Sequence, residues 1–467
     1  MTIAACSAPT PDPEAEAEAF ARSLRAPVNC PEEHVDVSYP ETRREPIVDT
    51  IHGREVADPY RWLEDAGDPE VQAWMAAQDE YARARLERLP ERDSLRARLE
   101  QLSYVDSVSP PARRGPYYFY WRQHKDREKA VYYVRRGERG PERALLDPNA
   151  MSADGSVSIH GVFPSHDGAR VAYKLSRNNA DAATLHVLDT ESGRDLPEER
   201  LAGARYALPQ WTPEGDGFYY TALPDDPSIP PSELPGRASI RFHALGRPHA
   251  EDREVWPASG DATAFLAVEL SRDGRYLLVY RQRGWLATDV FFATLTSKTR
   301  ASETPRFRAL IEGVDALYDV TPHEGRFFIV TNEGAPRFRV LEADPEAPAR
   351  ADWVERVPQR ADVLQGARVV GGRLLLHYLH RARSLLELRS LEGALERELP
   401  TDGTVDAVVG RPDEDVAYLR YSSFTETSRI FKLELARGEL ELWDEVTLPI
   451  DLSEVEVEQV SYPSRDG

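Results

Sequence analysis

Short apolar runs, each entered through a turn, recur along most of this chain. Arg114-Gly115-Pro116 leads into the run 117–121, His166-Asp167-Gly168 into 171–175, and Glu214-Gly215-Asp216-Gly217 into 218–220. Arg272-Asp273-Gly274 leads into 276–280, Glu324-Gly325 into 327–330, Gly371-Gly372 into 374–376, and Pro412-Asp413-Glu414-Asp415 into 416–419. The turns lie 41 to 59 residues apart, so each of the seven units has room for four short strands, the size of a propeller blade. The runs are continuously apolar, as in strands buried on both faces. Asp-Gly and Gly-Gly pairs supply the positive φ angles that two-residue hairpins need. The expected fold is all-β, a seven-bladed β-propeller over residues 103–450; an open β-sandwich or two stacked sheets is the competing arrangement.

Before residue 103 the apolar period is helical. Asp68 reads as a cap and Pro69 as the first turn of a helix carrying Val71, Trp74, Met75, Tyr81 and Ala82 at helical spacing; a second helix is expected over 92–102. Ahead of them, Asp58-Pro59-Tyr60-Arg61-Trp62-Leu63-Glu64-Asp65 puts three large apolar groups in four residues, on a segment too short to be a domain. Those groups must dock on something else. Residues 37–102 thus form an N-terminal helical arm. Residues 1–36, rich in Pro, Ala and Glu, read as a disordered tail.

The arm stretch resembles the N-terminal signature of the prolyl oligopeptidase family, serine peptidases whose α/β-hydrolase domain is capped by a seven-bladed propeller. Tyr39-Pro40-Glu41-Thr42-Arg43-Arg44, Thr331-Asn332-Glu333-Gly334-Ala335-Pro336-Arg337, Ser422-Ser423-Phe424-Thr425 and Tyr462-Pro463-Ser464-Arg465-Asp466-Gly467 carry the resemblance onward. It covers residues 39 to 467. The resemblance implies that the arm belongs to a hydrolase domain absent from this sequence, and that residues 451–467 begin the return into it. It also implies cleavage of short peptides after proline, with the propeller admitting peptides and excluding folded chains.

Composition narrows the partners. A formal charge of -22, from 58 Lys and Arg against 80 Asp and Glu, argues against nucleic acid. No apolar window is long enough for a membrane span. Cys6 and Cys30 are the only cysteines, so no disulfide framework or CxxC metal site is expected. Ile3-Ala4-Ala5-Cys6-Ser7 looks like the end of a truncated lipoprotein signal, but the basic start and apolar run are missing. The chain as given therefore reads as cytoplasmic; a periplasmic or outer-membrane lipoprotein anchored through Cys6 is the alternative if translation starts earlier.

Candidate chemistry is sparse. A nucleophile elbow, Gly-x-Ser-x-Gly, occurs nowhere, nor does the family's Gly-Gly-Ser, so no catalytic residue is assigned. His377 and His380 lie three apart on a strand-like run and face opposite sides; His52 reads as a turn residue, and His160 and His166 as surface. No metal or cofactor is expected. By resemblance, Tyr206 falls where the family places an aromatic near the bound peptide, and Asp289 near where it places a peptide-binding arginine. The expectation is the propeller portion of a serine-type endopeptidase, inactive alone because the Ser/Asp/His triad is missing. A non-enzymatic propeller that binds peptides or a separate hydrolase subunit is the alternative.

Overall fold

The computed structural model describes residues 39–226, 228–296, 303–448, 452 and 454–465. The expected tail, the Cys6 signal and parts of the 451–467 return lie outside the described residues. The chain divides into two compact units, Met1–Arg98 and Leu99–Gly467.

In the first unit, strands Val48–Ile51 and Arg54–Ala57 form a hairpin turned by His52 and Gly53, both at positive φ. His52 is thus a turn residue. Arg61 ties the following 3₁₀ turn, Arg61–Glu64, back to Asp58 at 2.9 Å and to Asp49. Helix α1, Pro69–Leu86, starts on Asp68, whose carboxylate accepts from the Glu70 amide at 2.7 Å. Trp62, expected to dock elsewhere, packs edge to face on Trp74 at 6.4 Å, and the two indole N–H groups donate to Arg43 O and Thr42 Oγ1, both at 2.9 Å. Tyr60, Met75, Leu86 and Leu95 stay exposed. Helix α2 spans Arg92–Ser103.

The second unit is a ring of seven antiparallel sheets, each built from consecutive strands: blades 1 to 7 cover 107–146, 157–201, 210–256, 264–311, 318–357, 363–400 and 404–445. In blade 1, Pro110 and Pro111 cannot donate to a ladder, so the first strand breaks into Ser107–Val108 and Ala112–Arg114, both paired with Tyr117–Gln123. Middle strands are buried almost end to end, as Gly217–Ala222 and Ala287–Thr294 are. Fourth strands such as Leu395–Pro400 and Glu439–Glu445 are largely exposed and form the outer rim, which places the first strands nearest the axis.

Seven apolar clusters fill the seven gaps between neighbouring blades, which closes the ring. The smallest, Val108, Tyr118, Tyr120, Tyr418 and Ile430, lies between blades 7 and 1. Among the described residues no strand of blade 7 pairs with a strand of blade 1. Side chains close that seam instead. Arg122 reaches Asp444 at 2.9 Å, Lys432 reaches Glu138 at 2.8 Å, and Trp443 stands edge-on to Tyr120 at 5.7 Å.

The hairpins only partly follow the two-residue expectation. Glu324-Gly325 and Gly371-Gly372 do form two-residue turns, with φ of 47° and 75° and of 53° and 66°. At Asp167-Gly168 and Asp273-Gly274 the loop is four residues long. There a serine intervenes: Ser165 and Ser271 each donate to the aspartate two residues on at 2.6 Å and accept from the amide five residues on, of Arg170 and Tyr276.

Candidate functional site

The first strands near the axis alternate rather than run apolar throughout. In Ala264–Leu270 of blade 4, Leu266, Val268 and Leu270 bury themselves between blades, while Phe265, Ala267 and Glu269 keep solvent contact. In Tyr318–His323 of blade 5, Tyr318 and Val320 are buried and Asp319 is exposed. First strands of blades 3 to 6 thereby wall a cavity of about 840 Å³, whose polar lining includes Gln210, Glu269, Tyr280, Gln282, Asp319 and Gln365. Phe265, Phe338 and Val363 give it apolar patches.

The electrostatics of this cavity centre on Glu269. The protein around it, then the Asp319 carboxylate on the next blade, push its carboxyl up to about 7, against the hydrogen bond from Tyr280. Tyr280 Oη lies 3.1 Å from Glu269 Oε2 and 2.9 Å from Val320 O, so one phenol ties the carboxyl to blade 5. Asp319 is also raised, because the protein surrounding the cavity desolvates a carboxylate that still meets solvent on its open side, with Arg368 opposing. Two carboxyl groups sharing one lining disfavour each other's ionisation. The sequence reading missed this group. Its signal was the alternation of Phe265, Ala267 and Glu269 with three aliphatic residues.

Tyr206, which the resemblance puts near a bound peptide, is half-buried in the cluster between blades 3 and 4. Its ring meets Phe265 edge to face at 5.9 Å, and Arg205 lies over it at 5.2 Å. Phe265 lines the cavity, and Tyr206 backs it.

Asp289 is a different matter. Its side chain is fully buried, accepting from Arg281 at 2.7 and 3.0 Å, from Arg283 at 3.3 Å and from the Gly313 amide at 2.8 Å. It ties Arg281, Arg283 and the Gly313 amide together at the end of blade 4. His166, read as surface, is half-buried, with Nε2 3.1 Å from Trp211 O of blade 3; burial, then Arg114 and Arg411, press its pKa down to about 4. His377 and His380 point to separate partners, Ser384 and Asp362, each at 2.8 Å. Among the described residues no group of His, Cys, Asp and Glu is placed to hold a metal, and no helix is long and apolar enough to cross a membrane.

Residues 39–446 match the family model described as the N-terminal β-propeller domain of prolyl oligopeptidase. The chain belongs to the prolyl oligopeptidase family. It is 25% identical over 436 residues to the prolyl endopeptidase of Elizabethkingia miricola, covering 92% of this chain and 60% of the relative. Against prolyl oligopeptidase A of Galerina marginata it is 24% identical over 471 residues, covering 92% and 63%. A solved prolyl endopeptidase superposes with a TM-score of 0.87 at 47% identity, over 92% of this chain and 63% of that one. Prolyl oligopeptidase B of Galerina marginata, bound to a 25mer macrocyclization substrate, shares the fold with a TM-score of 0.84 at 21% identity. The chain thus spans about three fifths of its curated relatives' length.

Proposed function

We propose that this chain is the arm and propeller of a prolyl oligopeptidase-type serine endopeptidase that cleaves short peptides on the carboxyl side of proline. The match of residues 39–446 to that family's propeller, at about three fifths of the relatives' length, carries the reading. The nucleophile, acid and base would come from an α/β-hydrolase portion, because these 467 residues hold neither Gly-x-Ser-x-Gly nor Gly-Gly-Ser. Alone, the chain would be inactive.

Within that reading the propeller shields the reacting bond from bulk water and restricts entry by size. The cavity beside Glu269 and Asp319 would receive the peptide, with Phe265 as an apolar contact and Tyr206 fixing its ring. The arm supports the same reading. Exposed Tyr60, Met75, Leu86 and Leu95 would each gain roughly 1 to 2 kcal/mol on being covered by a hydrolase body.

The test is to express the gene with whatever follows the Gly467 codon in frame, and alongside it any adjacent hydrolase gene. The product should cleave a Gly-Pro chromogenic substrate and be silenced by a serine-directed fluorophosphonate. A folded product that binds proline-containing peptides but never cleaves them would instead support a non-enzymatic propeller.

A further inference from the structure

Several blades bring their guanidiniums together at one end of the ring. Arg114 closes the first strand of blade 1, and Arg411 opens the first hairpin of blade 7. Arg272 lies in the matching hairpin of blade 4, and its Nη2 sits 3.5 Å from Asp413 Oδ2 of blade 7, three blades away, so these hairpins converge on the axis. Backbone packing fixes Arg114 among them. Gly115 and Gly168, at φ of 53° and 74°, let blades 1 and 2 interlock: a Cβ on the first would lie 2.4 Å from Asp167 O, and one on the second 2.6 Å from Arg114 O. On the other side Arg411 Nη1 donates to Arg113 O at 3.3 Å.

The charges in this cluster do not balance. Arg411 donates to Asp413 at 3.1 and 3.3 Å, Arg272 shares the same carboxylate, and Arg113 Nε lies 3.7 Å from Glu414 Oε1. Arg114 donates to Arg113 O at 2.8 Å, and among the described residues it pairs with no carboxylate. Four guanidiniums therefore face two carboxylates, in a chain whose formal charge is -22. Burial, then Arg411, brings the Arg114 guanidinium down to about 10, against Glu414 and Asp413. His166, on the hairpin of blade 2, feels the same field: burial, Arg114 and Arg411 keep it neutral, with Asp413 opposing. Arg114 is only partly buried, so a solute can still reach it. A cation left without a counter-charge in such a place destabilises the fold, and an anion from solution removes that cost.

We propose that Arg114, flanked by Arg411, is the centre of a binding site for a phosphate group, free or carried on a small molecule. Two uncompensated positive charges suit a dianion, and planar guanidiniums offer paired N–H donors to its oxygens. The inference rests on the ring alone and is independent of the peptidase reading.

The test uses the full chain in phosphate-free buffer at constant ionic strength. At pH 7.5 the parent should bind inorganic phosphate at one site. Arg114→Gln should weaken that binding about tenfold, and Arg114→Lys should keep part of it. Without phosphate, Arg114→Gln should be at least as stable as the parent; with phosphate, the parent should be the more stable. Sulfate, which stays dianionic where His166 titrates, should raise the pKa of that ring by about one pH unit in an NMR titration, because it offsets Arg114 and Arg411. Glycerol phosphate separates the two sources: binding equal to that of phosphate admits an ester, and much weaker binding marks the free anion as the ligand. The site is refuted if acetate binds as tightly as phosphate, if Arg114→Gln binds phosphate undiminished, or if that variant is destabilised equally with and without phosphate. Chloride moving His166 as far as sulfate does would also refute it, and this titration of the parent decides the matter even if Arg114→Gln folds poorly.

Discussion

Arg122 Nη2 donates to Asp444 Oδ2 at 2.9 Å, joining residues 322 positions apart across the one gap where the first blade meets the last. Every other pair of adjacent blades is also joined by the chain itself, but among the described residues this gap is bridged by side-chain contacts. Asp444→Asn should therefore cost about 1 kcal/mol of stability, with hydrogen exchange rising first in blades 1 and 7. Uniform acceleration around the ring would show that the seam is no weaker than the rest.

His243 makes stability depend on pH at another interface. Its ring is wholly buried, with Nε2 2.5 Å from Glu199 Oε2 on blade 2 and Nδ1 2.7 Å from Asp252 Oδ1. Burial lowers its pKa, but Asp252 and Glu199 outweigh burial and lift it to about 9. The imidazolium thus contributes stability that is full below its ordinary pKa near 6.5 and lost as pH rises through about 9. Urea denaturation should show a loss of about 3 kcal/mol between pH 6 and pH 10, and His243→Gln should abolish that slope while lowering stability at pH 6.

Glu269 gives a slope of the same sign, because the fold favours its neutral form. Its folded pKa of about 7 lies above the ordinary carboxyl value, so the folded state holds a proton that the unfolded chain releases. Stability falls as pH climbs from about 4.5 to 7 and stays lower above that. Glu269→Gln should leave stability at pH 4 unchanged and raise it by about 3 kcal/mol at pH 8. A variant destabilised at both pH values would mean that Glu269 is ionised and paired at neutral pH.

Asp289→Asn would strip the buried counter-charge from Arg281 and Arg283. A loss of about 2 to 3 kcal/mol is expected, because two guanidiniums are left facing a neutral group in a buried site. Peptide binding to the chain should be unchanged once the variant is folded. Weakened binding at full stability would return Asp289 to the binding surface.

How much of this was visible in the sequence follows from the range of each interaction. Hairpins are local, so turn residues ahead of each apolar run marked all seven blades, four of them by an Asp-Gly or Gly-Gly pair, and Asp68-Pro69 marked the start of α1. The four-residue loops were missed because Ser165 and Ser271 act three residues before the glycine that drew attention. Glu199, His243 and Asp252 form one network from two blades, and nothing in the local pattern of any of them announces it. The burial of Asp289 against Arg281 and Arg283 was not legible, because a resemblance fixes a position along a strand only to within a residue or two, and adjacent strand residues face opposite ways. Glu269 was legible in its alternation, and the apolar texture of the neighbouring strands hid it.

The central claim is that this chain is a propeller portion whose catalytic groups must come from elsewhere. The most direct measurement is hydrolysis of a Gly-Pro chromogenic substrate by the pure 467-residue chain, with and without a serine-directed fluorophosphonate. The account predicts no turnover and no covalent labelling. Turnover that the inhibitor abolishes, with the label mapped to a serine within these residues, would contradict it.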